Sequence, residues 1–258
     1  MARADVDLSL FDLTGRNALV TGAARGLGRQ IALDLARAGA AVALGVRERG
    51  SADSLLEEIA GFGGRAVAVD LDVRDLDRSR AALDDAASLL GAIDILVNNA
   101  GGGIGGRAID VTEEDFDAVW ALNTKSTFFL SQHAAKQMVG GGAIINVASQ
   151  AGLVALPGES SYCVAKAAVV HMTRCHAVEW GDLGIRVNAV APTFIETDGT
   201  SVALADPDFR ADTIERIAAL HRIGIPREVS GAVVFLASPA ASLITGQTIA
   251  IDGGWTAR

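Results

Sequence analysis

Tyr162 and Lys166 stand four residues apart in a stretch with helical period, so both side chains leave one face of a helix, a turn from each other. A phenol with a pKa of about 10 is a poor base near neutral pH, but an ammonium one turn away favours the phenolate and brings that value toward the working range. A surface tyrosine and a solvated lysine would show the same spacing. Ser149 separates the two readings, because it closes the apolar run Ile144-Ile145-Asn146-Val147-Ala148, and active sites of parallel α/β sheets lie beyond the carboxyl ends of their strands. A hydroxyl at a strand end, followed by a phenol and an ammonium on the next helix, points to acid–base chemistry.

Gly22, Gly26 and Gly28 lie in Thr21-Gly22-Ala23-Ala24-Arg25-Gly26-Leu27-Gly28, directly after a short aliphatic strand and at the start of an apolar-periodic helix with Ile31 and Leu35 that ends at Gly39. A pyrophosphate needs backbone N–H groups and the positive end of a helix close to it, and side chains at the glycine positions would hold it away. A tight turn that binds nothing would also use glycines, so this one gains meaning from its place between strand and helix. The choice of nucleotide depends on the end of the second strand. A site selecting NAD usually carries Asp or Glu there, which accepts from the ribose 2′-OH and repels a 2′-phosphate. Here that position is Val46, followed by Arg47, with Arg25 in the glycine turn, and guanidinium forks suit a 2′-phosphate. Glu48 stands beside Arg47 and could neutralise it. NADP(H) is therefore the expected preference, with NAD(H) also admitted.

Strands are expected at 17–21, 41–46, 65–69, 93–98, 143–148, 186–190 and 248–251, with helices near 27–38, 52–61, 75–90, 113–138, 161–180 and 227–237. Strand and helix alternating in this way predict an α/β fold, a doubly wound parallel sheet of about seven strands in a single domain spanning 1–258. The uninterrupted apolar character of Ile144-Ile145 and of 187–190 agrees with strands buried on both sides. Residues 193–226 form the least regular region, where a mobile lid over the substrate is expected.

The 258 residues are 50% hydrophobic and 21% charged, with 29 Gly against 5 Pro, which excludes a disordered, collagen-like or disulfide-stapled chain. A net charge of −9 from 22 basic and 31 acidic residues opposes a nucleic-acid or anionic-membrane surface. The first eleven residues lack a continuous apolar run, so a cytoplasmic location rather than secretion is expected. The uncharged windows 137–158 and 229–251 are interrupted by Gly, Asn, Gln, Ser and Pro and read as buried strands with turns, not membrane spans. Cys163 and Cys175 lack disulfide or metal-ligand patterning and are expected to pack; no metal is expected.

The Gly-x3-Gly-x-Gly turn, Asn98-Asn99-Ala100-Gly101 after the fourth strand, Asn123, Ser149 and Tyr162-x3-Lys166 occur in an order and spacing that resemble the short-chain dehydrogenase/reductase family over nearly the whole chain. The resemblance implies a Rossmann-type fold and interconversion of a secondary alcohol and a ketone with a nicotinamide nucleotide. It implies that Ser149 hydrogen-bonds the substrate oxygen, Tyr162 moves the proton, Lys166 also holds the ribose hydroxyls, and Asn123 positions a water linking Lys166 to solvent. It places the nucleotide on Gly22, Gly26, Leu27 and Gly28, beside the Arg25 and Arg47 offered above for a 2′-phosphate. Asp72 and Val73 would lie at the adenine and Asn99, Ala100 and Gly101 beneath the ribose. Tyr162, Lys166, Pro192, Ile195 and Thr197 would lie along the nicotinamide half. One departure is Thr193, where the family usually has Gly, which puts a side chain near the nicotinamide.

Within the family, the tail 250–258 and the stretch 123–138 are similar to bacterial sugar-acid dehydrogenases, implying a sugar acid, sugar or polyol substrate. A carboxylate would need a cation, offered by loop residues such as Arg107, His221 and Arg222; Gln150, Arg107 and His221 are the candidate substrate contacts. A 3-ketoacyl thioester reductase is the enzymatic alternative, which would be expected to show a basic patch for an acidic carrier. A dinucleotide-sensing regulator without chemistry is the alternative of another kind, and it gives no reason to retain Ser149, Tyr162 and Lys166. The resemblance also implies a homotetramer formed through the long helices and the C-terminal segment.

Overall fold

The computed structural model describes residues 8–257, so the first seven residues of the N-terminal stretch and Arg258 of the tail lie outside the described residues. Seven strands form one wholly parallel sheet in the order β3-β2-β1-β4-β5-β6-β7. They are β1 (Asn17–Thr21), β2 (Ala41–Val46), β3 (Ala66–Asp70), β4 (Ile95–Asn98), β5 (Gly142–Val147), β6 (Ile185–Pro192) and β7 (Thr248–Ile251). Three of them, β1, β2 and β7, have the bounds expected from hydrophobic patterning. β6 runs on to Pro192 because Ala189 to Pro192 pair with all four residues of β7.

The helices are α1 (Gly26–Arg37), α2 (Asp53–Gly61), α3 (Leu76–Leu90), α4 (Glu113–Trp120), α5 (Ser126–Gln137), α6 (Ser160–Trp180), α7 (Ser201–Leu204), α8 (Pro207–Arg216) and α9 (Pro226–Ala237). α1, α2 and α9 cover one face of the sheet through Ile31, Leu35, Leu55, Ile59, Val229 and Val233. α3, α5 and α6 cover the other through Leu83, Ala86, Leu130, Ala134 and Ala177. The order reverses at β1, whose neighbours are β2 and β4, and such a switch point opens a crevice beyond the carboxyl ends of the strands.

The single helix expected over 113–138 is instead two, joined by a wide π turn at Ala121–Lys125. Side chains there take up backbone carbonyls: Asn123 Nδ2 donates to Val119 at 2.8 Å and Thr127 Oγ1 to Asn123 at 2.7 Å. Residues 193–226 are more regular than expected. They hold α7 and α8, the second started by Asp206, whose carboxylate accepts from the N–H groups of Asp208 and Phe209, and by Pro207 in the first turn. The window 229–251, read as strands, is in part α9. Cys175 is exposed, not packed, while Cys163 is half-buried. Among the described residues no helix is long and apolar enough to cross a membrane, and no group of three His, Cys, Asp or Glu is placed to hold a metal ion.

A buried polar chain fixes the strand ends that carry the site. Asn98 Nδ2 donates to Ser131 Oγ at 2.8 Å and to Asn146 Oδ1 at 2.9 Å, and Asn146 Nδ2 donates to Thr173 Oγ1 at 3.0 Å. β4 and β5 are thereby locked to α5 and α6 through hydrogen bonds between buried side chains.

Candidate active site

β1 ends in the glycine turn, where Gly22 and Gly26 adopt φ of +67° and +55°, a backbone region that disfavours any side chain. Gly28 is required for a different reason: a Cβ there would overlap the Gly22 carbonyl and the Asn99 amide. The opposite wall is tied to the same strand. Thr21 Oγ1 accepts from the N–H groups of Asn99 and Ala100, each at 2.9 Å, and Asn99 Nδ2 donates to the Thr21 carbonyl at 2.8 Å. No side chain caps the first turn of α1, so its N–H groups face the cleft with the positive end of the helix.

The cleft between these walls measures about 740 Å³. Gly22, Arg25, Gly26, Leu27, Gly28, Arg47, Asp72, Val73, Asn99, Ala100, Gly101 and Thr197 all line it. Arg74 lies beside them, a guanidinium not anticipated from the sequence; it grips Asp72 at 2.6 Å and holds that carboxyl down to about 2. Neither Arg25 nor Arg47 forms an ion pair among the described residues, and the Glu48 placed to neutralise Arg47 does not pair with it. Val46 ends β2 without a carboxylate.

A pocket of about 230 Å³ continues the cleft and brings Ser149, Tyr162 and Lys166 together with Pro192, Thr193, Ile195 and Thr197. Lys166 is buried, its Nζ donates to the Val147 carbonyl at 2.8 Å, and it lies 5.6 Å from the centre of the Tyr162 ring. Burial pushes Lys166 down to about 8. Tyr162 is pushed up to about 12, first by burial; its interaction with Ser149 pulls the other way, and Glu159 adds to the rise. In the chain by itself burial thus outweighs any lowering of the phenol by Lys166. Within the chain Ser149 is the group that offsets burial. Asn123 sits at the other side of Gly101, donating to the Gly102 carbonyl at 2.7 Å and accepting from the Gly102 N–H at 3.2 Å.

Beyond Tyr162 a second cleft of about 510 Å³ is walled by Ser149, Gln150, Glu159 and Tyr162 on one side and by residues of 193–216 and Trp255 on the other. Gln150 belongs to it, with its Oε1 accepting from Ser149 Oγ at 2.9 Å. Arg107 and His221 do not line it: Arg107 lies 3.5 Å from Asp110, and His221 is exposed beyond α8. Arg222 is held by Glu228, whose carboxyl it pulls down to about 2. The cation on the wall is Arg216, in α8, where it pairs with Asp212 at 2.6 Å. Its only signal in the sequence is the i, i+4 spacing of Asp212 and Arg216 on a weak helical pattern.

The enoyl-(acyl carrier protein) reductase family profile matches residues 22–256. The chain is 41% identical over 254 residues to the 2-dehydro-3-deoxy-D-gluconate 5-dehydrogenase of Escherichia coli K12, covering 97% of this chain and 99% of that protein. It belongs to the short-chain dehydrogenase/reductase family. A D-threitol dehydrogenase of Mycolicibacterium smegmatis is 40% identical over 250 residues, covering 96% of this chain and 95% of that one. The gluconate 5-dehydrogenase of Burkholderia cenocepacia J2315, solved with NADP and tartrate, superposes with a TM-score of 0.93 at 35% identity, over 97% of this chain and 98% of that one. As a short-chain dehydrogenase/reductase the protein is an NAD(P)-dependent oxidoreductase acting on CH–OH groups.

The residues present suit a dinucleotide. The uncapped start of α1 faces the larger cleft, and Thr193 Oγ1 is buried without a partner among the described residues where the 230 Å³ pocket meets the substrate cleft. A hydroxyl orphaned in that way costs free energy unless a ligand satisfies it. The departure from the family glycine at this position thus places a polar group, not a bulky apolar one, on the pocket wall.

Proposed function

We propose that the protein interconverts a secondary alcohol and a ketone on a sugar acid, sugar or polyol, with NADP(H) preferred to NAD(H). The observation that carries this reading is that Ser149 and Tyr162 line both the pocket continuing the glycine-turn cleft and the cleft beyond it. When bound, the nicotinamide supplies the hydride acceptor or donor. Gly22, Gly26, Leu27 and Gly28 offer backbone to the pyrophosphate, and Asp72, Val73, Asn99, Ala100 and Gly101 shape the adenosine half. Pro192, Ile195 and Thr197 close the other half.

Ser149 Oγ orients the substrate oxygen, and Tyr162 Oη takes the carbinol proton in oxidation or returns it in reduction. Lys166 serves both groups: one of its three donors is spent on Val147, which leaves two for ribose hydroxyls and a positive charge beside the phenol. Asn123, held in the π turn, positions the water that connects Lys166 to solvent. Residues 193–226 act as the lid over the substrate. Assays over sugar acids, polyols and 3-ketoacyl thioesters with both nucleotides test this reading: turnover of a sugar acid or polyol supports it, and activity confined to thioesters would replace it with the reductase alternative. Absence of any turnover would favour a dinucleotide sensor.

Cofactor preference follows from the charges around the end of β2. Arg25 and Arg47 line the cleft where a 2′-phosphate would lie, Arg47 attracted to Asp72 without an ion pair to it, and no carboxylate at Val46 repels the phosphate. Arg47→Ala should lose affinity for NADP by roughly tenfold or more, as for a charge-assisted hydrogen bond, and much less for NAD. Val46→Asp should shift the kcat/KM ratio toward NAD. A clear NAD preference in the parent protein would mean that both arginines serve solvent alone.

Oligomerisation is read from exposed apolar side chains. Phe116 and Trp120 on α4, Phe128 on α5, and Val164 and Val178 on α6 are exposed in the single chain, and a homotetramer built through these helices and the C-terminal segment would cover them. Light scattering at assay concentration is expected to give four times the chain mass; a stable monomer would contradict it.

A further inference from the structure

Three charged side chains reach the cleft beyond Tyr162: Glu159, Asp212 and Arg216. Two of them neutralise each other, since Arg216 Nε donates to Asp212 Oδ2 at 2.6 Å. Glu159 is left over. It is half-buried, burial alone pushes its carboxyl up, and among the described residues it has no ion pair and no hydrogen bond to its carboxylate.

The position of that carboxylate is specific. A Cβ built on Gly103 would lie 3.0 Å from Glu159 Oε2 and 3.3 Å from Tyr162 Cγ, so the carboxylate and the phenol ring flank the same glycine. A Cβ on Gly105 would lie 3.2 Å from Glu159 Oε1, so two glycines clear the space around this one side chain. Gln150 lines the same cleft, with its Oε1 occupied by Ser149 and its Nε2 donors without a partner among the described residues. An acceptor and a donor thus face the cleft beside the reacting hydroxyl.

We propose that the substrate is a neutral polyol or sugar, not a sugar acid, and that Glu159 is a specificity-determining residue accepting a hydroxyl adjacent to the reacting carbon. This narrows the function proposed above and rests on it. A hydroxyl donates to a carboxylate and accepts from an amide at once, whereas an anionic substrate group can only accept. A sugar acid would also bring its negative charge into a cleft whose own charged side chains sum to one negative charge, the charge of Arg216 being offset by Asp212.

The test is kcat/KM for threitol, xylitol and sorbitol against gluconate, using the full chain at saturating nucleotide. The parent should favour at least one neutral polyol over gluconate by about tenfold or more, the scale of one hydrogen bond to a charged group. Glu159→Gln keeps the size and removes the charge. It should raise the polyol KM by about tenfold with little change in kcat, and should raise kcat/KM for gluconate. Asp212→Asn, which frees Arg216 without touching the Glu159 loop, should also favour gluconate. Preference of the parent for gluconate, or a polyol-to-gluconate ratio unchanged in both variants, overturns the proposal. Turnover of 3-ketoacyl thioesters with none of polyols or gluconate would instead remove the function it rests on, and the proposal with it.

Discussion

Tyr162→Phe should lower turnover by roughly 10²-fold or more while nucleotide affinity stays within a few-fold of the parent. The substitution keeps the ring that packs beside Gly103 and removes only the hydroxyl that faces Ser149. The loss should appear in kcat and kcat/KM alike, the pattern of a group needed in the transition state more than in binding. Steady-state rates and nucleotide titration by fluorescence separate the two quantities. Activity within a few-fold of the parent would remove Tyr162 from the proton path and leave the Ser149 hydroxyl to account for the chemistry.

Lys166→Met should weaken nucleotide binding and raise the pH at which oxidation begins. The sign follows from charge. Oxidation needs the phenol to release its proton, and burial already pushes Tyr162 up to about 12. Below about 8, where Lys166 carries its proton, a cation 5.6 Å from the ring favours the phenolate, so its removal makes deprotonation harder and moves the rising limb of the pH–rate profile to higher pH. The same change removes the donors available to the ribose and strands the Val147 carbonyl that Lys166 satisfies. Both effects must appear together; a normal pH profile with normal nucleotide affinity would make Lys166 a purely structural buried lysine.

The parts legible from the sequence are those set by local pattern. β1, β2 and β7 are short aliphatic runs with no competing period, and the glycine turn, Ser149 and the Tyr162–Lys166 pair sit at strand ends or on one helix face, where spacing alone implies proximity. Hydrophobic periodicity across 113–138 did not reveal the π turn, because that break is made by polar side chains taking carbonyls, a contest the apolar pattern does not register. The substrate cleft was the least legible. Its wall joins Glu159, just before α6, to Arg216, at the end of α8, and only the folded chain brings these together. Arg107 looked free in a loop but has Asp110 three residues on. The Tyr162 proton affinity is hard to read for a related reason: spacing shows the lysine one turn away, but not how much water the packing removes from the phenol.

Direct transfer of hydrogen between substrate and nucleotide is the central claim, and an alcohol deuterated at its carbinol carbon tests it most directly. Incubation of the parent protein with such a polyol and NADP, followed by mass spectrometry of the nucleotide, should find the deuterium on the reduced nicotinamide, with none recovered where Tyr162→Phe has stopped the reaction. Deuterium released to solvent, or a polyol oxidised with no reduction of NADP or NAD, would contradict it.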